Sequence, residues 1–332
     1  MFNCLLVNKP DKQSNNIVYL YFKQHLLKIP LQLLRLFSLL FLGLCFACEE
    51  PVEFDIEEAK PQLVVDGIFS KDHPFQIVLS KSGNVLTNEP TQFIDDAKVS
   101  ILGEDNKLLA ILEYQDDPLL PSYSSEDILP TTHTNYHLSI DVPNYSTLIA
   151  IDQLPKPVAL SGITVDTMSI AEESVLLTTN IKEPVGQEHY YHLLLFHEVV
   201  HGRTHSNGFV ENKNVDLKPL PIVAIPDNIP NAIFDADKMG ILFSDESIDG
   251  QALQLKLIAV INELEMGMFP KIVGELRTVS ENYYQYYTSL ARQQESKDRP
   301  FSEPVSVFTN IENGVGIFAG YSTYRDSVTV VQ

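Results

Sequence analysis

The sequence predicts a mainly β chain built as two sandwich domains, immunoglobulin-like or prealbumin-like, the second carrying one inserted helix. Three observations lead there. Period-two alternation recurs along the chain, clusters of Gly, Asn, Asp, Pro and Ser cut it into short runs, and a single stretch has a convincing helical period. Tyr136, Leu138 and Ile140 alternate with His137, Ser139 and Asp141, and Phe75, Ile77 and Leu79 alternate with Gln76, Val78 and Ser80. Successive strand side chains point to opposite faces, so these runs are half-buried strands with one wet side. Further strands are expected at 62–69, 97–102, 108–114 and 147–151, with a polar, proline-punctuated loop at 118–132. About seven short strands without intervening helices read as a first sandwich over residues 61–155.

Leu154-Pro155-Lys156-Pro157 is the expected boundary, because two prolines stiffen a connection and cannot sit in a central strand. The strand pattern then resumes at 163–170, 174–181, 190–200, 251–261, 271–278, 305–310 and 327–331, giving a second sandwich over 158–332. Its cleanest alternation sets Leu253, Leu255 and Leu257 against Gln254 and Lys256. The inserted helix is expected at 281–294, with Ser280 as N-cap and Tyr283, Tyr286, Tyr287 and Leu290 at helical spacing. That stripe reads as the face packed on a sheet, whereas Tyr284 lies off it and is expected to meet solvent or a partner.

Before the first strand, residues 36–47 are apolar apart from Ser38 and follow Lys23, Lys28 and Arg35, the charge order of a secretory signal. The run is too short to span a bilayer, which takes roughly 20 apolar residues. Ala47-Cys48 looks like the lipobox of bacterial lipoproteins, with Cys45 a departure where that pattern prefers Leu. On this reading 1–47 is signal peptide and leader, Cys48 carries the acyl chains, including a palmitate-type chain on its amino terminus, and 48–60 is a tether. Glu49, Glu50 and Glu53 loosely resemble acidic signals that send such lipoproteins to the cell surface. Of three cysteines only Cys48 survives cleavage, so no internal disulfide is expected. The formal charge is −21, and without Lys9, Lys12, Lys23, Lys28, Arg35 and Asp11 it becomes −25 from 18 basic and 43 acidic residues. Such a field repels nucleic-acid backbones and anionic lipid surfaces, leaving membrane contact to the acyl chains.

Two strings invite a metal. His197-Glu198-Val-Val-His201 has zinc-peptidase spacing, and on a helix would put two imidazoles on one face with Glu198 as general base. Its aromatic and β-branched surroundings predict a strand instead, which separates the two histidines by about 13 Å. Counting Asp235 as position 1 of a calcium loop puts Gly240 at position 6 and Glu246 at position 12, but Met239 falls on a ligand position and no helices flank it, so a solvated acidic turn is expected. No nucleophile elbow, phosphate-binding loop or paired-cysteine cluster occurs, and no cofactor is expected. Near the end, Asn313-Gly314 reads as a tight hairpin turn, with Gly316 allowing close backbone approach.

A resemblance ties these features together. Cys48-Glu-Glu, Pro61-Gln-Leu-Val-Val-Asp-Gly-Ile-Phe69, Asp96-Ala-Lys-Val-Ser-Ile101 and Tyr136-His-Leu-Ser-Ile140 resemble the first half of the Bacteroidetes domain-of-unknown-function 4249 lipoproteins. Ser280-Glu-Asn-Tyr-Tyr-Gln-Tyr286, Pro300-Phe-Ser-Glu-Pro-Val305 and Asn310-Ile-Glu-Asn-Gly-Val-Gly-Ile-Phe318 are similar to that family's closing signature. The resemblance implies an outer-membrane location, a TonB-dependent receptor as neighbour and no assigned catalytic residues. Three function classes remain. The first, and the expectation here, is a non-enzymatic accessory lipoprotein at the outer membrane, facing outward, serving a TonB-dependent receptor or nutrient-uptake system. The second is a zinc metallopeptidase using His197, Glu198 and His201. The third is a carbohydrate-binding module, weakened by the absence of Trp although fourteen Tyr offer stacking faces.

Overall fold

The computed structural model describes residues 61–330 apart from 84–89, 127, 170–172, 205–209, 224–226, 230, 236–239, 261–270, 298–302 and 304. The leader 1–47, Cys48 and the tether lie outside the described residues, as do Asp237 and Met239 of the acidic loop. The rest is mainly β, with sixteen strands and one helix described. In the first half these are β1 (Leu63–Ser70), β2 (Gln76–Lys81), β3 (Lys98–Leu102), β4 (Leu108–Gln115), β5 (Ser122–Ser124), β6 (Asn135–Asp141) and β7 (Leu148–Gln153). β5 interrupts the stretch expected to be loop. Its polar composition hides the strand, and Tyr123 makes it: the side chain is buried, its hydroxyl accepts from the Ala97 N–H at 2.9 Å and donates to the Ile94 carbonyl at 3.0 Å.

The second half runs β8 (Leu160–Ser169), β9 (Ser174–Lys182), β10 (Tyr190–Thr204), β11 (Val210–Pro219), β12 (Ile233–Asp235), β13 (Gly240–Ser244), β14 (Ala252–Val260), β15 (Lys271–Val279), α1 (Glu281–Lys297) and β16 (Val315–Thr329). The run at 305–310, expected as a strand, has no strand partner. Side chains of α1 hold its backbone instead: Ser289 Oγ accepts from the Phe308 N–H and Gln293 Nε2 donates to the Val305 carbonyl. The large sheet follows the order β12-β13-β10-β15-β16-β1-β2-β5-β4-β3-β6-β7, with β11 also on β10, while β14-β9-β8 forms a separate sheet.

Burial separates the apolar side chains into clusters. One gathers Val65, Phe69, Phe75, Ile77, Tyr136 and Ile140 from the first half, closed by Phe318. Another gathers Leu177, Tyr191, Leu193, Phe243, Leu255 and Leu276 from the second. Under α1 a smaller group joins Tyr283 to Leu242, Val279, Ile317 and Ala319. The start of β16 is therefore buried on both faces, Phe318 pointing one way and Ile317 with Ala319 the other, which explains its unbroken apolar run.

The segment before β16 sets its position. Asn310 Nδ2 donates to the Phe318 carbonyl at 2.8 Å and its Oδ1 accepts from the Phe318 N–H at 3.0 Å, so one side-chain amide stands in for a strand partner. Asn313 turns the chain at φ 63° and donates to the Thr147 carbonyl at 2.9 Å. The turn is not a hairpin, because β16 pairs with β15 and, in parallel, with β1 rather than with the residues just before it. Gly314 is not at positive φ; its constraint is space, since a Cβ there would meet Leu63 O at 3.0 Å. Gly316 has φ 113°, and a Cβ on it would lie 1.9 Å from Val65 O.

One buried carboxylate joins three elements. Asp152 Oδ2 accepts from Ser280 Oγ at 2.5 Å and from the Gly320 N–H at 3.1 Å, while Oδ1 accepts from the Gln153 N–H at 2.8 Å. Ser280 Oγ in turn accepts from the Tyr283 N–H at 3.2 Å, the N-cap bond of α1. Burial pushes the Asp152 carboxyl up to about 6, against the opposing pull of these donors.

Two outcomes follow for stability. Gly316→Ala should cost about 3 kcal/mol or more and lower the thermal midpoint by roughly 6–12 °C, whereas Gly83→Ala, with open space around it, should stay within about 0.5 kcal/mol. Between pH 4 and 6 the folded chain keeps a proton on Asp152 that the unfolded chain has released, so this group lowers stability as pH rises through that window. Thermal midpoints of the wild type measured against Asp152→Asn should therefore diverge with that sign, and parallel profiles would contradict the assignment.

Candidate functional site

Ladder bonds carry three side chains to one point where the two sheets end. β9 pairs with β14, and one residue beyond β9 the Glu183 N–H still bonds the Gln251 carbonyl at 3.0 Å. β10 pairs with β13, Tyr190 opposite Ser244, and one residue beyond that pair the Asp245 N–H bonds the His189 carbonyl at 3.0 Å. The His189 N–H returns a bond to Asp245 Oδ2 at 2.8 Å. Gly186, at φ 80° with its N–H on Asp249 Oδ1, turns the chain between β9 and β10.

Glu183 is 2% exposed. Its Oε2 accepts a short hydrogen bond from the Tyr191 hydroxyl, and its Oε1 stands 2.8 Å from His189 Nδ1, which is 3.6 Å from Asp245 Oδ2. Glu183 Oε1 and His189 Nδ1 face each other at ion-pair distance, off the alignment of a straight hydrogen bond. Burial raises the Glu183 carboxyl above its ordinary value; the Tyr191 bond and the His189 ring oppose that shift. Burial likewise pushes the Tyr191 phenol up, reinforced by the Glu183 carboxylate.

Beside the cluster lies a cavity of about 660 Å³, and Asp245 lines it. Its other charged walls are Glu188, Glu246, Glu295 and Arg292, so four acids face one arginine there. Tyr284, expected to meet solvent or a partner, is half-buried, stacks on Tyr190 with centroids 4.8 Å apart, and lines the same cavity. Such a lining favours a cation or a hydrogen-bond donor over an anion. Two carboxylates and an imidazole offer three ligand atoms within 4.8 Å of one another.

The HEVVH run lies inside β10 and is extended. His197 pairs across to Ile272, Glu198 bonds Lys271 Nζ at 2.8 Å, and His201 Nε2 meets Asp216 at 3.0 Å. About 13 Å of strand separates positions 197 and 201, so one ion cannot bind both imidazoles. Asp235 departs from the solvated turn expected of it: it ends β12, is buried, and faces His192 Nε2 at 3.6 Å. Pairing of β12 with β13 draws it inward. The sequence gives no spacing signal for Glu183, His189 and Asp245, which come from three separate segments.

No curated protein matches the chain. Among solved structures, one similar chain is described as manganese lipoxygenase of Gaeumannomyces graminis with a partial structure of zonadhesin of Komagataella pastoris. It shares 8% identity, covering 83% of this chain and 97% of that one, at a TM-score of 0.19, and carries no argument about fold or function. A family model, described as a domain of unknown function, matches residues 49–327. Apart from Cys48 itself, the motifs quoted from both halves of the sequence fall inside that span, and the chain belongs to the DUF4249 family.

Proposed function

We propose that the chain is a non-enzymatic lipoprotein of the outer membrane, anchored through acylated Cys48 and facing outward, that serves a TonB-dependent receptor or nutrient-uptake system. The observation that carries this reading is the junction at 36–50: an apolar run too short to span, cations before it, then Ala47-Cys48 and two acids. The family match supports it by beginning at residue 49, one residue past the cysteine. Among the described residues no helix is long and apolar enough to cross a membrane, and this reading assigns attachment to the lipid. Two or more chains, at roughly 0.8 kcal/mol per buried CH₂, hold a protein stably where one would not. We read 61–155 and 158–332 as two β-sandwich domains; the separate apolar clusters support that division, with Phe318 of β16 completing the first core.

Cys48→Ser should release the protein to soluble fractions or leave an uncut precursor. A variant that is cleaved normally and still sediments with the outer membrane after a salt wash would overturn the anchor. Protease added to intact cells should digest the wild-type protein, whereas protection until the outer membrane is opened would place it on the periplasmic side.

A further inference from the structure

We propose that Glu183, His189 and Asp245 form a binding site for a divalent transition-metal cation of the zinc type, independent of how the chain is anchored. Donors held on one such ion at its usual bond lengths stand about 3 to 3.5 Å apart. Here Glu183 Oε1 to His189 Nδ1 is 2.8 Å and His189 Nδ1 to Asp245 Oδ2 is 3.6 Å, which bracket that spacing, and all three ligand atoms lie within 4.8 Å of one another.

An ordinary carboxylate–imidazolium pair is the competing explanation, and it sets one imidazolium charge against two carboxylates, Glu183 and Asp245. In such a pair the ring N–H points at the oxygen. Glu183 Oε1 and His189 Nδ1 are buried and stand at ion-pair distance, 2.8 Å, but off the alignment of a straight hydrogen bond. A third centre bonded to both atoms would satisfy them together. Glu183 is 98% buried, so its charge has no bulk water to fall back on. A dication would neutralise this carboxylate and that of Asp245 at once.

The surroundings fit a metal ligand set. Each carboxylate is oriented from outside the trio, Glu183 by the Tyr191 hydroxyl and Asp245 by the His189 backbone N–H. One imidazole with two carboxylates suits a borderline ion such as zinc; calcium wants six to eight oxygens, and soft ions want sulfur. Three protein ligands leave a position open, and Asp245 turns that side toward the 660 Å³ cavity, which supplies an entry path and room for a water or a donor from a bound molecule. The net charge of −21 raises cation concentration near the surface.

The test uses the full chain extracted in detergent, stripped with a chelator and titrated with Zn²⁺, with retained metal counted after gel filtration. One equivalent should bind and raise the thermal midpoint, and X-ray absorption at the zinc edge should show one imidazole among nitrogen and oxygen ligands. His189→Asn and Asp245→Asn should each weaken binding at least about tenfold, while His201→Asn leaves it unchanged. If His189→Asn does not fold, Asp245→Asn and the absorption spectrum of the unaltered chain decide the matter. Absence of stoichiometric binding, a spectrum with two imidazoles, or binding that survives Asp245→Asn would overturn the site.

Discussion

The rest of the structure depends on the parallel pairing of β1 with β16. No hairpin can make such a pair; it requires the intervening chain to fold back and deliver its last strand beside its first. β16 is also paired with β15 and covered on both faces, so its register is fixed from four directions. A slip of one residue would turn Phe318 toward α1 and Ile317 with Ala319 toward the first core. Gly316 enforces the register at one end, because only hydrogen fits against Val65 O, and the Asn310 amide enforces it two residues further along. The closing motif of the sequence is thus a device for seating one strand.

Three buried carboxylates show how the chain handles charge, and they differ in how completely they are satisfied. Glu275 takes Arg277 Nε at 2.6 Å on one oxygen and Arg325 Nη2 at 2.6 Å on the other, with the Arg277 guanidinium 4.5 Å above the Tyr321 ring. Asp152 takes three donors and knots β7, α1 and β16 together. Both are closed arrangements in which every oxygen is occupied, and removing a partner from either would strand a charge. Glu183 is buried as deeply, but one oxygen faces an imidazole that a second carboxylate, Asp245, also faces, at the edge of an acidic cavity. A structural role accounts for the first two and leaves the third open.

The sequence made the regular parts legible wherever alternation coincided with burial. β2, β6, β14 and the Ser280 cap of α1 all show in the pattern because local periodicity and tertiary packing agree there. It hid β5, which one tyrosine anchors, and β11, a charged edge strand paired to β10 whose described side chains, 214–219, are little buried. It misled at 305–310, where α1 side chains satisfy the backbone that a strand partner was expected to satisfy. The HEVVH string shows the converse case. Its spacing is that of a helical metal motif, yet β10 pairs with β11 from His197 to His201 and with β15 as far as His197, and the ladder decides. Glu183, His189 and Asp245 share no spacing that a linear reading could find.

Their position at strand ends explains both the invisibility and the precision of the cluster. Each residue sits one step outside its strand, Glu183 after β9, His189 before β10 and Asp245 after β13, so ladder bonds still fix its backbone. Outside the strand, however, its side chain is released from the alternation that would send neighbours to opposite faces. Two sheets that end together can therefore converge side chains from segments unrelated in sequence, with the ordering cost already met by folding. The cavity beside them, at about 660 Å³, has the scale of a small molecule or an inserted side chain rather than of a broad protein face. A ligand entering there would meet carboxylates held in place before it arrives, so binding would depend on matching their charge and spacing rather than on reshaping the protein.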